Sequence, residues 1–215
     1  MSVMKFRWFL LWIIILIAIP HLSAVDTADW DEVTVNKVDF KIPEKFSNGE
    51  MNKDNTCYKH GDPLDFLIFS LIKYDNLKRM YGSSITSDGL IDVEETEIDG
   101  HHAVVLYQYN DFYNHDYLEV FFATGKKIFR IQYNSDKVTG ELKEIIRSTP
   151  KSEMSEDTFL NKLDNAQRDY AREDYEKNLE LDMEDYYRTY NDEHNHENFY
   201  YWGSNGFGVG GSTRW

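Results

Sequence analysis

The sequence predicts an α+β fold, in which an antiparallel β-meander sheet carries one or two helices packed on one face. Three observations support this class. Apolar and β-branched runs follow one another, and two of them are joined by Asp99-Gly100, a dipeptide typical of tight hairpin turns. From Val138 the apolar spacing changes from that of a strand to that of a helix. Near Pro150 the composition becomes more polar and acidic, so we expect a compact domain at residues 31–150 and an extension after it.

The strands of this domain are predicted from alternation and from β-branched and aromatic content. Residues 65–74 form a nearly continuous apolar run, which is typical of a centrally buried strand. Residues 127–133 alternate with a period of two, as in a half-buried strand. The predicted segments are residues 33–42 (one or two strands), 56–59, 65–74, 91–98, 102–109, 117–122 and 127–133.

Two helices are predicted within the same domain. Residues 75–80 are expected to form a short helix with Asp75 at its N-cap. The second helix ends before Pro150, and Ser135 or Thr139 can cap its start. Its apolar positions lie on one face at Val138, Leu142, Ile145 and Ile146. We expect this helix to lie across one face of the sheet.

Residues 151–190 are predicted to form a long acidic helical extension. Ser155 can cap the helix, and acidic residues follow it in the first turn, where the helix dipole favours them. An apolar stripe runs as far as Tyr170 and then weakens, so we expect the helix to project into solvent beyond that residue. Opposite charges four residues apart, such as Arg172 and Glu176, support the helical prediction.

Residues 191–215 are predicted to be a disordered tail, because five glycines fall within residues 203–211. Most disordered segments contain few aromatic residues, but this one contains several. The tail is therefore either an unconstrained extension or a segment that docks on a partner. The candidate docking residues are Phe199, Tyr200, Tyr201, Trp202 and Trp215.

Residues 1–24 have the pattern of an export signal. Two basic residues precede an apolar run at residues 8–19, and the segment ends at Ala24, after which we expect cleavage. Twelve helical residues cover roughly 18 Å, which is short for a hydrocarbon core of about 30 Å. The alternative is an uncleaved anchor, in which residues 8–20 make the only contact with a membrane. In both cases the expected location is extracellular or at the cell surface.

The composition is strongly acidic, with a formal net charge of −15. This charge repels phosphate backbones, so we expect no nucleic-acid partner, and it favours cationic partners. Cys57 is the only cysteine in the sequence, so no intrachain disulfide is expected, which is unusual for a small exported domain. The thiol is either buried and idle or pairs with a second chain.

Imidazole and carboxylate side chains in the tail are candidate metal ligands. They are Glu193, His194, His196 and Glu197. On a flexible segment they would form a weak, exchangeable site for Zn or Ni, and the alternative is a solvated polar tail. No cofactor is expected. His101 and His102 follow a predicted turn and point to opposite faces of a strand, so we expect them to be solvated rather than to share a metal.

The sequence contains no pattern that identifies a catalytic centre. Cys57 and His60 are three residues apart, but no oxyanion hole or orienting group is recognisable near them. Residues 206–210 are rich in glycine, yet no predicted strand precedes them and no helix follows. Residues 110–116 are expected to form a hairpin loop, with a ligand-contacting loop as the alternative. Residues 94–97 are expected to be the solvated face of an edge strand.

The order of elements resembles the PsbP/DcrB-like group of small exported α+β domains. The resemblance rests on the opening segment at residues 40–43 and on the strand at 127–133, which leads into a helix ending at residues 144–150. The chain is also similar to small exported proteins of unknown function from methanogenic archaea. The resemblance covers about residues 31–150, and it implies an accessory or envelope role without a shared active site.

Two functions follow from these patterns. The first is a non-catalytic exported module of the cell envelope that binds an unknown protein or envelope component through its acidic helix and aromatic tail. The second is an envelope metal-handling protein or hydrolase that uses acidic and His residues, and it requires converging carboxylates in a concave pocket. The export pattern and the aromatic tail favour the first function.

Overall fold

The architecture of the chain is α+β, as the sequence predicts. The computed structural model describes residues 25–61 and 65–204, and for residues 190–204 it describes the backbone alone. The described strands are β1 (Asp31–Val35), β2 (Val38–Ile42), β3 (Glu50–Met51), β4 (Cys57–His60), β5 (Phe66–Ser70), β6 (Leu90–Ile98), β7 (His101–Asn110), β8 (His115–Thr124) and β9 (Lys127–Tyr133). The described helices are α1 (Tyr74–Ile85), α2 (Gly140–Arg147) and α3 (Glu156–Ser204), with a short 3-10 helix at Glu44–Phe46.

One antiparallel sheet contains seven of the described strands in the order β3-β4-β5-β9-β8-β7-β6. The run from β6 to β9 is a meander of sequence neighbours, as predicted. Strand β5 pairs with β9 rather than with β6, and its register places Phe66 opposite Tyr133 and Ser70 opposite Phe129. The chain therefore crosses from the middle of the sheet to its edge between β5 and β6, and α1 lies in that connection.

The hairpin of β1 and β2 lies on one face of the sheet, which we call the hairpin face. Its turn residues, Asn36 and Lys37, have φ values of 49° and 62°, the left-handed conformation that a tight hairpin turn requires. Helix α2 lies on the same face, as predicted, and Thr139 caps it by accepting a 3.1 Å hydrogen bond from the backbone N–H of Leu142. Buried side chains of this face include Phe40, Ile42, Val105, Phe122, Phe129, Ile131, Leu142 and Ile145.

The opposite face, which we call the helix face, is covered by α1 and by the first turns of α3. The ring of Tyr81 on α1 meets the ring of Phe121 on β8 edge-on, with centroids 5.0 Å apart. Buried side chains of this face include Leu77, Tyr81, Val104, Leu106, Phe121, Phe159, Leu163 and Ala166. The first turns of α3 are therefore part of the core of the sheet domain.

Helix α1 is longer than the sequence predicts. The prediction covers residues 75–80 and places Asp75 at the N-cap, whereas Lys73 occupies that position and the helix continues through Gly82. A Cβ atom at Gly82 would lie 2.3 Å from the Cβ of Tyr170, so only glycine allows α1 and α3 to approach this closely. The contact with α3 thus outweighs the low helix propensity of glycine.

Helix α3 runs to Ser204, beyond the predicted end of the helical extension at residue 190. The remainder of the predicted tail, residues 205–215, lies outside the described residues, and so does the export-signal segment at residues 1–24. Within the described part of the chain, no helix is long and apolar enough to cross a membrane.

Candidate functional site

The first turns of α3 are anchored on the helix face of the sheet. Phe159, Leu163 and Ala166 have exposed fractions of 0 %, 1 % and 0 % and pack against the sheet and α1. These three positions follow helical spacing, so they form one stripe of the helix. Because this stripe belongs to the core, the direction in which α3 leaves the domain is fixed by packing rather than by a loop.

Polar contacts secure the last turn before α3 leaves the domain. The hydroxyl of Tyr74 on α1 donates a 2.6 Å hydrogen bond to Oδ2 of Asp169, and Lys78 forms an ion pair with Glu173. The hydrogen bond to the Asp169 carboxylate raises the pKa of Tyr74 to about 12, because the bond is lost when the phenol ionises. In each of these contacts one side chain, Tyr74 or Glu173, is exposed, so each contributes less stability than the buried stripe.

Beyond this anchor, α3 continues as an exposed helix, which we call the arm and define as residues 171–189. Every residue of the arm is exposed. Nineteen residues of α-helix extend about 28 Å. The arm therefore projects from the domain into solvent, as the weakening of the apolar stripe after Tyr170 predicts.

The arm carries a second apolar stripe, which we call the arm stripe and define as Tyr175, Leu179, Met183 and Tyr186. Spacings of four, four and three residues place these side chains on one face of the helix. Their exposed fractions are 68 %, 49 %, 50 % and 66 %. At 3.6 residues per turn, this face is rotated by about 180° from the anchored stripe. The arm stripe thus faces away from the side on which α3 packs against its own domain.

Acidic residues border the arm stripe on both sides. Helical geometry places Asp182 and Asp185 along one border and Glu176 and Glu180 along the other. The arm contains seven acidic and three basic residues, a formal charge of −4. The arm therefore presents an exposed apolar stripe within a negative field.

A buried ion pair on the sheet was not predicted from the sequence. Arg130 on β9 and Glu119 on β8 form an ion pair on the helix face, and Glu119 retains only 4 % of its side-chain exposure. Arg130 also donates a 2.8 Å hydrogen bond from Nη2 to Oε1 of Gln132, and its Nη1 lies 3.3 Å from Sδ of Met80 on α1. The pair thus joins two strands and the covering helix by charge and hydrogen bonding.

The expectation that His101 and His102 are both solvated is wrong for His101. His101 is 1 % exposed, and its Nδ1 donates a 3.0 Å hydrogen bond to the backbone carbonyl of Ala123. It is buried because β7 begins at this residue and lies between β6 and β8, and its ring packs on Phe122 of β8. His102 points to the other face, as expected for adjacent strand residues.

Cys57 and His60 do not form a catalytic pair. Both lie on β4, and a separation of three residues places their side chains on opposite faces of the sheet. The ring of His60 packs on Phe46 of the hairpin face, with centroids 5.5 Å apart. Burial raises the pKa of the Cys57 thiol, which is the opposite of what an activated nucleophile requires.

The hairpin connection predicted at residues 110–116 is confirmed, but the loop itself is shorter and covers residues 111–114. Strand β7 ends at Asn110 and β8 begins at His115, so the predicted loop joins a hairpin. Glu94, Glu95 and Glu97 are exposed on β6, which is an edge strand of the sheet. Charged side chains on an edge strand discourage pairing with strands of other molecules.

A cleft of about 240 Å³ at one end of β7 and β8 is lined by Asp92, Asp116 and Asp136, together with Tyr107. The carboxylate of Asp92 accepts a 2.9 Å hydrogen bond from its neighbouring backbone N–H, at Val93. Among residues 25–61 and 65–189, no group of three or more His, Cys, Asp or Glu side chains is arranged to hold a metal ion. The three carboxylates that line the cleft are therefore not arranged as a metal site.

The metal ligands and docking residues predicted in the tail lie outside the part of the chain whose side chains are described. The metal ligands predicted there, and the four aromatic docking residues between 199 and 202, fall where the backbone alone is described. Trp215 lies outside the described residues. These assignments therefore stay predictions of the sequence.

Comparisons of the chain with protein-family models, with curated proteins and with solved structures find no match. The resemblance to the PsbP/DcrB-like group therefore stays a prediction.

Proposed function

We propose that the protein is a non-catalytic exported binding module of the cell envelope, in which the sheet domain is a scaffold and the arm contacts a partner. The observation that carries this proposal is the position of the arm stripe. An amphipathic helix usually turns its apolar face to its own core. The arm instead turns four large apolar side chains away from the domain that anchors it, and a partner would cover them.

The use of buried polar groups supports a scaffold role for the sheet domain. His101 donates to a neighbouring strand, Gln108 donates a 2.9 Å hydrogen bond to the backbone carbonyl of Ser84 in α1, and Arg130 pairs with Glu119. Each of these contacts ties one element of the domain to another. Groups engaged in this way help to hold the elements of the sheet domain together.

The proposed location rests on the sequence of residues 1–24, which has the export pattern described above. If this segment is not cleaved, residues 8–20 hold the domain at a membrane and the arm extends away from the sheet. The net negative charge argues against nucleic acid and against an anionic lipid surface as the partner. The predicted aromatic tail would add to the contact that the arm makes.

A stop codon after Lys177 tests the proposal without removing the core. This truncation keeps the anchored stripe and Glu173 but removes most of the arm stripe. We expect the melting temperature to change by only a few degrees, because the described side chains that are removed, at residues 178–189, are exposed. In extracts of the native host, we expect gel filtration to show the full chain in a complex with its partner. We expect the truncated chain to elute separately, at the size of the unbound protein.

A stop codon after Ser155 is the matched control. It removes Phe159, Leu163 and Ala166 from the core, so we expect the chain to lose cooperative unfolding and with it every interaction. The proposal is contradicted if the chain ending at Lys177 folds and stays in a complex of the same size as the full chain.

A further inference from the structure

We infer that the arm stripe binds a cationic amphipathic helix, one whose apolar ridge is bordered by Lys and Arg. This inference rests on the proposed function, because it takes the arm as the contact surface and names the chemistry of the partner.

The shape of the arm stripe fits a helical partner. Its side chains lie along one face of a straight helix from Tyr175 to Tyr186, a length of about 17 Å. The spacing of four, four and three residues is that of helices which pack along each other, where the apolar side chains of one fill the gaps between those of the other. Three turns of a partner helix would cover Leu179 and Met183 at the centre of the stripe.

The charges beside the stripe decide which helix fits. Asp182 and Asp185 on one border and Glu176 and Glu180 on the other would lie next to the flanking residues of a packed helix. In paired helices, ion pairs between residues at those flanking positions determine which partner binds. Lysine or arginine there would complement the acidic borders on both sides.

The basic residues of the arm do not cancel this field at the stripe. Helical geometry places Lys177 and Arg188 on the opposite side of the helix, in line with the anchored stripe. The third basic residue, Arg172, is on the stripe side, about one turn before Tyr175, and its charge is paired with Asp169 at 3.2 Å. A second copy of the chain would bring its own acidic borders against these, and like charges at such positions are unfavourable. Charge complementarity therefore favours a basic helix over self-association.

The test uses two synthetic peptides of equal length that form the same amphipathic helix. One has Lys beside its leucine ridge and the other has Glu at the same positions. Binding to the full chain is followed by fluorescence anisotropy of labelled peptide. We expect the Lys peptide to bind, its affinity to fall as the salt concentration rises, and the Glu peptide to bind at least about tenfold more weakly.

Neutral substitutions separate the stripe from general attraction to an acidic protein. Leu179→Gln with Met183→Gln removes the centre of the stripe without changing charge, and we expect binding of the Lys peptide to weaken about tenfold or more. Leu181→Gln is the control, because Leu181 is 50 % exposed on the opposite side of the arm. We expect the affinity of the Leu181→Gln variant for the Lys peptide to stay within about twofold of that of the unchanged chain.

Four results would overturn the inference. Equal affinity for both peptides would show that the acidic borders do not select a basic partner. An equal loss of affinity in the Leu181→Gln variant would show that binding does not depend on the arm stripe. A dimer in sedimentation that the double substitution dissociates would assign the stripe to a second copy. If the Lys peptide fails to bind but the chain ending at Lys177 still loses its native complex, the partner chemistry is wrong while the proposed function stands.

Discussion

Replacement of Phe159 by alanine is expected to lower the free energy of unfolding by about 3–5 kcal/mol, the usual cost of removing a buried aromatic ring. Phe159 is fully buried in the core of the helix face, where the first turn of α3 meets the sheet. The loss has two parts. The buried ring no longer contributes its favourable transfer out of water, and the cavity that remains adds a further cost. Urea unfolding of the full chain measures it.

Phe112→Ala is the matched control for this substitution. Phe112 lies between β7 and β8 and is 87 % exposed, so we expect a change within about 0.5 kcal/mol. Similar losses for the two alanine variants would mean that α3 is not anchored through Phe159, and the arm would then have no fixed direction.

Replacement of Arg130 by methionine is expected to cost about 3–5 kcal/mol, because it leaves the Glu119 carboxylate buried without a counter-ion. Methionine preserves much of the arginine stem and its packing next to Met80. The carboxylate must then take up a proton or remain charged in a nearly dry site. The free energy of unfolding near neutral pH, measured with urea, reports this cost.

The double variant Arg130→Met, Glu119→Leu distinguishes the unpaired charge from lost packing. Removing both charges is expected to restore most of the stability, because a buried ion pair and an apolar pair of similar volume are often equivalent. A double variant as unstable as Arg130→Met alone would show that packing, not charge, accounts for the loss. If Arg130→Met lowers the free energy of unfolding by less than about 1 kcal/mol, the ion pair is solvated.

Local patterns in the sequence predict most of the strands, since alternation and turn residues are local properties. The Asp99-Gly100 turn is one example, and its residues have φ values of 50° and 84°. The pairing of β5 with β9 is not predicted, because it joins distant segments and no local residue encodes it. The burial of His101 depends on the contact of its ring with Phe122 on β8, so a rule about loop ends could not find it.

The arm stripe was present in the sequence as apolar residues spaced by three and four positions. The sequence alone does not identify it as a second stripe, because it is out of phase with the anchored stripe and the apolar pattern therefore weakens after Tyr170. Only the packing of α3 shows that the two stripes face opposite ways. The Arg130–Glu119 pair was not predicted either, since alternation places polar residues on the solvent side of a strand.

Photo-cross-linking in the native host tests the central claim most directly. A cross-linking amino acid is placed in the full chain at position 179, within the arm stripe, or at position 181, on the opposite side of the arm. We predict a cross-linked protein product from position 179 and at most a trace from position 181. Equal products from both positions, or a product from position 181 alone, would contradict a partner bound through the arm stripe.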